Sequence, residues 1–210
     1  MSVQQSQVVT DRRIARTKQF ISEAFVALLL KKDIEEIVIK DITETANVNR
    51  STFYSYYRDK FDLLDHMVKD RLEQLNTLWD TERSQSAGYK PDFNTPDPFF
   101  VLLFSHMEEN EIFYRVLLTK INPATAGADH ASSLLGFIRE AFYDRITALS
   151  MEQKQSVPLD LLLDYISFST FHMARKWLEQ RMIYSSRHMA LQLTRLSILG
   201  AYDAMGVLQA

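Results

Sequence analysis

The 210-residue chain is predicted to be an all-α protein. Apolar residues recur at intervals of three and four over most of its length, which is the spacing of amphipathic helices. Valine and isoleucine rarely alternate with polar residues, so no segment has the pattern of a strand. All five glycines and five prolines lie at or after Gly88, so the first 87 residues must turn with Asn, Asp and Ser.

Four helices are predicted before the first glycine, and polar residues mark their ends. Asn47 tolerates the left-handed conformation, and we expect it to form the turn between the second and third helices. Asn49 is placed to cap the third helix with its side chain, and Asp59 to cap the fourth, with Asp62 completing a variant of the capping box. The four predicted helices cover residues 12–31, 40–46, 50–57 and 60–79.

The second half of the chain is also predicted to be helical, beyond a segment rich in turn formers from Asp80 to Pro98. That segment is expected to act as a linker or domain boundary. Pro158 is expected at the first position of a helix, and Ser185 or Ser186 as the cap of the last one. The predicted helices of this half cover residues 99–107, 111–120, 132–149, 158–181 and 185–205.

The formal net charge of −3 is distributed unevenly. Residues 1–60 carry a balance of +2, and the other 150 residues carry a balance of −5. A basic head on an acidic body indicates that the head faces an anionic partner. The predicted domains are residues 1–60, a connecting helix and linker over 61–98, and a helical body over 99–210.

The composition argues against several classes of protein. The chain has no cysteine, so it can hold neither a disulfide nor a thiolate metal site. No apolar run approaches the roughly 20 residues of a membrane span, and the first 13 residues lack the apolar stretch of a signal peptide, so a soluble cytoplasmic protein is expected. The sequence has no glycine-rich phosphate loop and its histidines are scattered. The chain is therefore not expected to be an enzyme, to bind a cofactor or to hold a metal ion.

The two short predicted helices, with a tight turn between them and a helix ahead of them, match a helix-turn-helix arrangement. Phe53 and Tyr57 lie four residues apart in the second of these helices and are expected to pack inward. Residues near the start of a recognition helix contact base edges. The side chains left to face outward are Arg50, Ser51, Thr52, Tyr54 and Tyr56.

These outward residues have the chemistry to bind DNA. Arg50 can donate two hydrogen bonds to the O6 and N7 edge of guanine, and Thr52 offers a hydroxyl and a methyl group to thymine. The hydroxyls of Tyr54 and Tyr56 suit phosphate oxygens. Lys60 begins a helix, where its ammonium and the free backbone N–H groups favour a phosphate. A basic arm that could reach phosphates or the minor groove is formed by Arg12, Arg13 and Arg16.

A longer pattern surrounds these residues: Ile39-Lys40-Asp41-Ile42-(x5)-Val48-Asn49-Arg50-Ser51-Thr52-Phe53-Tyr54-(x2)-Tyr57-(x2)-Lys60-(x2)-Leu63-Leu64. A second pattern follows later: Trp177-Leu178-Glu179-(x2)-Met182-(x2)-Ser185-Ser186-(x2)-Met189-Ala190. The first pattern lies within residues 12–68, which resemble the DNA-binding domain of the TetR family of bacterial transcriptional regulators. The second resembles the C-terminal domain of a TetR subgroup common in low-GC Gram-positive bacteria. The resemblance implies that Lys40 contacts a base or the backbone and that Ser51 contacts a base. Val38 stands where the family often has threonine.

The resemblance also implies partners: a palindromic double-stranded DNA operator, a second copy of the chain, and a small hydrophobic effector. The dimer is expected to form through two stripes on the last two helices, which include Ser169, Met173, Leu193, Leu196, Gly200 and Ala204. The effector pocket is expected among the C-terminal aromatic residues, with Phe104, Met107, Phe137 and His172 as candidates. Each of these residues has an alternative place in the core of its own chain.

Repression with release by the effector is the main functional hypothesis. Two alternatives remain open from the sequence. One is a helical protein-interaction module whose helix-turn-helix does not bind DNA. The other is a transcriptional activator that depends on a protein coactivator.

Overall fold

A computed structural model describes residues 2–86, 89–90, 92–121, 130–150 and 157–200, and within these ranges it contains helices and turns but no strand. The all-α prediction is confirmed. The helices are α1 (Ser2–Leu29), α2 (Ile39–Thr45), α3 (Arg50–Tyr54), α4 (Lys60–Gln85), α5 (Pro98–Glu109), α6 (Glu111–Thr119), α7 (His130–Ser150), α8 (Leu159–Glu179) and α9 (Ser186–Leu193). A 3-10 turn spans Ile34–Glu36, and a π-helical segment spans Thr194–Leu199. None of the helices in the described ranges is long and apolar enough to cross a membrane.

The described residues divide into two compact units. The first holds the residues up to Lys69 together with Lys120 and Ile121. The second holds the residues from Asp70 to Thr119 and from His130 onward. The division therefore falls inside α4, ahead of the segment that the sequence indicated as a linker.

The core of the first unit takes one apolar face from each of its helices. Burying each of these side chains contributes about 1.5–3 kcal/mol. Lys120 adds a polar tie, because its ammonium donates to the carbonyl oxygens of Leu29 (3.2 Å) and Leu30 (2.8 Å) at the end of α1. The core residues, each at most 3% exposed, are Ile21, Phe25, Leu29, Ile34, Ile37, Ile42, Phe53, Leu63 and Leu64.

In the turn between α2 and α3, Asn47 behaves as predicted, but Asn49 does not. Asn47 has a φ of 51°, which confirms the left-handed turn. Asn49 occupies the N-cap position of α3, but its side chain makes no capping hydrogen bond, so that part of the prediction is wrong. Helix α3 is also shorter than predicted. It ends at Tyr54, and the Ser55 hydroxyl donates to the carbonyl of Thr52 (2.7 Å) in the turn that follows.

Asp59 caps α4 as predicted. Its Oδ1 accepts the backbone N–H of Phe61 (2.8 Å) and of Asp62 (2.9 Å). The predicted reciprocal contact is replaced, because the Asp62 carboxylate accepts the N–H of Arg58 (2.9 Å) instead. Two donors at the start of α4 are thus satisfied by one side chain.

Removing this cap is expected to weaken the fold modestly. The change Asp59→Ala should lower the free energy of unfolding by about 1 kcal/mol, because two backbone donors lose their acceptor. Urea denaturation followed by circular dichroism measures the change. Asp59→Asn, which keeps an acceptor oxygen, should recover most of the loss, and an Asp59→Ala variant as stable as the wild-type chain would contradict the capping role.

Buried residues lie just before and near the end of the segment 80–98, which the sequence indicated as a linker. Trp79 and Asp97 are buried in the second unit, and Trp79 packs edge-on against Phe99 at a centroid distance of 5.1 Å. The Asp97 carboxylate caps α5 by accepting the N–H of Phe99 (2.9 Å). The prolines and the glycine of the segment 80–98 made it look like a domain boundary. The side chains at its two ends, Trp79 and Asp97, are nevertheless buried.

The last two helices begin close to the predicted positions, whereas α9 ends at Leu193, before the predicted end. Pro158 occupies the N-cap of α8 instead of the first helical position. Arg181 and Met182 follow α8 with φ values of 54° and 52°, and this turn ends the helix earlier than predicted. Ser185 caps α9 as expected, its hydroxyl accepting the N–H of His188 (3.2 Å). Ala204, predicted to lie in the dimer interface, falls outside the described residues.

Candidate nucleic-acid interface

The side chains of α3 and of the turn after it divide between core and surface, with Phe53 and Tyr57 facing inward as the sequence predicted. Phe53 is fully buried and Tyr57 is 5% exposed, and their rings pack with a centroid distance of 5.6 Å. Arg50 and Ser51 are exposed, Tyr54 is 47% exposed, and Thr52 and Tyr56 are half-buried. The inward pair anchors α3 to the core, so the opposite face is held at the surface.

Arg50 and Tyr54 form a local pair on the exposed face of α3. The Arg50 Nη2 donates to the Tyr54 hydroxyl at 3.1 Å, and its guanidinium carbon lies 5.5 Å from the centre of the Tyr54 ring. The Tyr54 ring in turn packs edge-on against Phe53. This contact restricts the long Arg50 side chain and leaves its other N–H groups for an acceptor.

Tyr56 lies beside a cation that the sequence did not single out. The Lys18 ammonium of α1 lies 5.7 Å from the centre of the Tyr56 ring. Lys18 is half-buried and belongs to the same unit as α3. Its neighbours in sequence, Arg12 and Arg13, are exposed on α1, as is Arg16. The predicted basic arm is therefore part of a continuous helix. Its charges are held on the surface of the first unit.

Lys60 stands at the start of α4, but its ammonium has partners within the chain. It donates to the carbonyl oxygens of Glu35 (2.9 Å) and Ile37 (2.7 Å), and burial lowers its pKa. The side chain thus ties α4 to the 3-10 turn, which was not foreseen. An ammonium has three donors, so these contacts leave one N–H for a phosphate.

The N-cap residue of α2 is Val38, whose own side chain has no hydroxyl to cap the helix, and Asp41 supplies an acceptor for its backbone N–H. The Asp41 carboxylate accepts a hydrogen bond from the Lys32 ammonium (3.1 Å) and the backbone N–H of Val38 (3.4 Å). The Lys32 contact holds the pKa of Asp41 below its ordinary value, with the Val38 contact as the second cause. Lys40 is exposed in the first turn, with its ammonium 3.7 Å from Glu44.

The predicted effector-pocket residues differ in their burial. Phe104 and Met107 are fully buried and Phe137 is 6% exposed, whereas His172 lies exposed on α8. Phe104 packs edge-on against Trp177 at 5.2 Å, and Phe137 lies 6.0 Å from Phe99.

A cleft of about 740 Å³ does occur in the second unit. It was missed because its residues come from two helices that are far apart in sequence. His106 at this cleft is 5% exposed, and its Nδ1 lies 3.1 Å from the Tyr114 hydroxyl. Its Nε2 is buried and has no hydrogen-bond partner. The lining residues are Asp70, Glu73, Gln74, Thr77, Leu78, His106, Glu109 and Asn110.

The burial of His106 predicts a pH-dependent stability. Burial lowers the pKa of His106 from 6.5 to about 4, with a smaller contribution from the positive charge of Arg71. Between these values the unfolded chain binds a proton that the folded chain does not. The free energy of unfolding should therefore fall as the pH decreases from 6.5 to 4, by about 2–3 kcal/mol from this group.

The measurement compares urea denaturation of the wild-type chain and of His106→Gln at several pH values. The variant should lose this part of the pH dependence, whereas His188→Gln, at an exposed histidine, should keep it. Identical pH profiles for the wild-type chain and His106→Gln would contradict the buried neutral imidazole.

The residues predicted for the dimer interface are divided between the interior and the surface of the chain. Leu193 is 1% exposed, so its assignment to the interface is wrong, and Ser169 and Met173 are half-buried. Leu196 is 61% exposed and Gly200 is also exposed, with open space around the position of a Cβ. A different face of α8 is exposed. It carries Leu161, Tyr165 and Phe168, which are 58%, 58% and 57% exposed.

Comparison with known proteins supplies the family context. Residues 94–198 match a family model described as "Transcriptional regulator C-terminal region". An uncharacterized HTH-type transcriptional regulator of Bacillus subtilis (strain 168), YxbF, is 42% identical over 60 residues, which are 28% of this chain and 16% of that protein. The HTH-type dhaKLM operon transcriptional activator DhaS of Lactococcus lactis subsp. lactis (strain IL1403) is 27% identical over 99 residues, or 47% of each protein. The chain thus matches less than half the length of either curated relative.

A solved structure extends the likeness over nearly the whole chain. It is a TetR transcriptional regulator from Streptococcus agalactiae 2603V, with a TM-score of 0.61 and 26% identity. The match covers 91% of this chain and 98% of that one. The shared fold therefore includes both the helix-turn-helix and the helices that follow it.

Proposed function

The chain belongs to the TetR family of transcriptional regulators, and from this premise we propose that it represses transcription as a homodimer on a palindromic operator until a small molecule releases it. It is a DNA-binding regulator and not an enzyme. According to this proposal, the protein acts in the cytoplasm, where bacterial DNA lies.

The observation that carries the DNA contact is the exposed face of α3. Arg50, Ser51 and Tyr54 lie at the surface of a helix whose opposite side is anchored by Phe53. An α-helix fits the major groove, and an arginine at its start can form two hydrogen bonds with guanine. We assign base contacts to Arg50, Ser51 and Thr52, and phosphate contacts to Tyr54, Tyr56, Lys40 and Lys60.

Homodimer formation is supported by the exposed apolar face of α8. Leu161, Tyr165 and Phe168 follow one another at four and three residues, so they lie on one side of the helix. Leu196 is exposed on the π-helical segment, which contacts α8. Large apolar side chains arranged in this way mark an interaction surface, and a second copy covers it through an isologous interface.

A charge on this face is expected to dissociate the dimer. Phe168→Glu removes the same ring from both sides of a two-fold interface, so dimer formation should weaken by about 3–6 kcal/mol. Sedimentation equilibrium at micromolar concentration measures the change. Ile183→Glu, at a residue that is 64% exposed outside this face, is the matched control and should remain a dimer. A wild-type monomer, or a Phe168→Glu dimer of unchanged affinity, would overturn the assignment.

The experiment that tests the function is selection of bound sequences from random duplex DNA by the purified chain. Two inverted half-sites whose centres are about 34–36 Å apart are expected, because each protomer places one α3 in successive major grooves. Failure to enrich any sequence would leave the alternative of a helical protein-interaction module.

Activation of transcription is a second candidate function, and one observation favours it. The relative DhaS, which is 27% identical over 99 residues, is an operon activator. A reporter assay distinguishes repression from activation. The selected operator is placed ahead of a reporter gene, and expression is compared between a strain that lacks the regulator and one that expresses it. Repression predicts lower reporter expression when the regulator is present, whereas higher expression would favour activation.

A further inference from the structure

The exposed side of α3 carries two side chains that contact each other at the surface. Nη2 of Arg50 donates to the hydroxyl oxygen of Tyr54 at 3.1 Å, and the guanidinium carbon lies 5.5 Å from the centre of the Tyr54 ring. The two residues are four apart, so they are neighbours on one face of the helix. The pair therefore combines a hydrogen bond with a cation–π contact.

The ring of Tyr54 is in turn held by the core of the first unit. It packs edge-on against Phe53, with a centroid distance of 5.7 Å and an interplanar angle of 89°, and Phe53 is fully buried. A long and flexible arginine side chain is thus joined through one rigid ring to the core. A side chain that is already restricted loses less conformational entropy when it binds.

The hydrogen bond to Tyr54 leaves Arg50 with one free pair of parallel donors. A guanidinium has five N–H groups in a plane, and each of the two edges that can form a bidentate contact uses one N–H of Nη2. Because Tyr54 accepts from one N–H of Nη2, one edge is occupied and the other is free. Among the described residues, no further hydrogen bond or ion pair engages Arg50. The free edge matches the O6 and N7 acceptors of one guanine.

We propose that Tyr54 determines the base specificity of α3 by positioning Arg50, in addition to its own contact with phosphate. The Tyr54 oxygen accepts the bond from Arg50, so the hydroxyl proton is available to a phosphate oxygen. Tyr54 is thus a positioning residue, which acts on the base through Arg50. This role rests on the proposed function, because it requires that Arg50 contacts a guanine.

The test uses the guanine of the selected operator that Arg50 contacts. Replacing this guanine by adenine in both half-sites should weaken binding of the wild-type chain but not of Arg50→Ala. Fluorescence anisotropy gives the ratio of the dissociation constants for the adenine and guanine duplexes. Tyr54→Phe keeps the ring and loses the hydroxyl. We expect it to lower this ratio at least about fivefold, because the hydrogen bond is lost in both protomers.

Two controls separate positioning from the contact with phosphate. Loss of a phosphate contact weakens binding to both duplexes equally and leaves the ratio unchanged. Tyr56→Phe should have this effect, because the ring of Tyr56 lies beside Lys18 and not beside Arg50. In an Arg50→Ala background, Tyr54→Phe should also leave the ratio unchanged, since no guanidinium remains to be positioned.

A second measurement needs no DNA. In NMR spectra of the free chain, the Nε–H group of Arg50 should show a larger heteronuclear NOE in the wild-type chain than in Tyr54→Phe, because the pair restricts the guanidinium. Equal values in the two chains would show that Tyr54 does not hold Arg50 and would overturn the proposal. Each variant must have the circular dichroism spectrum and thermal midpoint of a folded chain, and Tyr54→Leu replaces Tyr54→Phe if that variant fails.

The possible results distinguish this proposal from the proposed function. A folded Tyr54→Phe chain that keeps the wild-type ratio would overturn the positioning role and leave the proposed function standing. An operator without any guanine that depends on Arg50 would overturn both the base contact of Arg50 and its positioning by Tyr54. A selection that enriches no operator would refute the proposed function itself, and with it any role of Tyr54 in base recognition.

Discussion

Arg50→Ala is expected to lower the affinity for the selected operator more than any other single change in the first unit. Arg50 is exposed at the start of α3 and has donors left after its contact with Tyr54. Loss of a bidentate contact with guanine costs about 1–3 kcal/mol, and a dimer loses two of them. Fluorescence anisotropy with labelled operator DNA at fixed salt should show a dissociation constant raised by about 30-fold or more.

Two further variants separate base recognition from charge. Arg50→Lys keeps the charge but loses the fork of donors, so it should bind random DNA normally and the operator weakly. Arg175→Ala, at an exposed arginine of α8, is the matched control and should bind the operator as the wild-type chain does. Equal operator affinities for Arg50→Ala and Arg175→Ala would contradict the assigned role of Arg50.

Asp97→Ala is expected to destabilise the second unit severely. The carboxylate is fully buried, its Oδ2 lies 2.6 Å from Nη2 of Arg145, and its Oδ1 accepts from Nη1 at 3.1 Å. The backbone N–H of the same residue donates to the Thr194 hydroxyl (2.7 Å). Removing one partner of a buried pair leaves the other charge without compensation and costs about 3–5 kcal/mol. Urea denaturation at a fixed protein concentration measures the loss.

The matched control for this change is one exposed pair on the same helix as Arg145. Asp144 pairs with Arg83, and both side chains are at least 40% exposed. Asp144→Ala should cost no more than about 1 kcal/mol, because water and salt screen exposed charges. The double change Asp97→Ala with Arg145→Leu should recover part of the loss. A cost for Asp97→Ala as small as that of Asp144→Ala would show that the buried pair does not stabilise the unit.

The fold and the DNA-facing helix could be predicted because both depend on local patterns. The spacing of apolar residues predicted the helices, although α1 begins ten residues earlier and α4 ends six residues later than predicted. The pair Phe53 and Tyr57 predicted which side of α3 is buried. Local hydrogen bonds were harder to predict. Asn49 has the right residue type and position for a cap, but its side chain is not used. Nothing in the structure explains why.

The face of α8 that points outward could not be derived from the sequence. Leucines stand at 161, 162 and 163, so apolar residues occur on both sides of this helix. Only the packing of the unit shows that Leu162 is buried and Leu161 exposed. Periodicity gives the existence of an apolar stripe, but not which of two stripes belongs to the core.

Contacts between residues that are far apart in the sequence could not be predicted from it. Asp97 meets Arg145 and Thr194 across 48 and 97 residues. The cleft joins α4 to the end of α5 in the same way. A charged residue on a helix is usually solvated, so single acidic residues gave no signal until their neighbours in space were known.

The absence of native cysteine allows the central claim, that the exposed face of α3 contacts DNA, to be measured directly. Ser51→Cys places one thiol on that face, and Ser133→Cys places one on exposed α7 as the control. Saturating operator DNA should slow alkylation of the thiol at position 51 and leave the rate at position 133 unchanged. Equal alkylation rates at position 51 with and without bound operator would show that α3 does not enter the duplex.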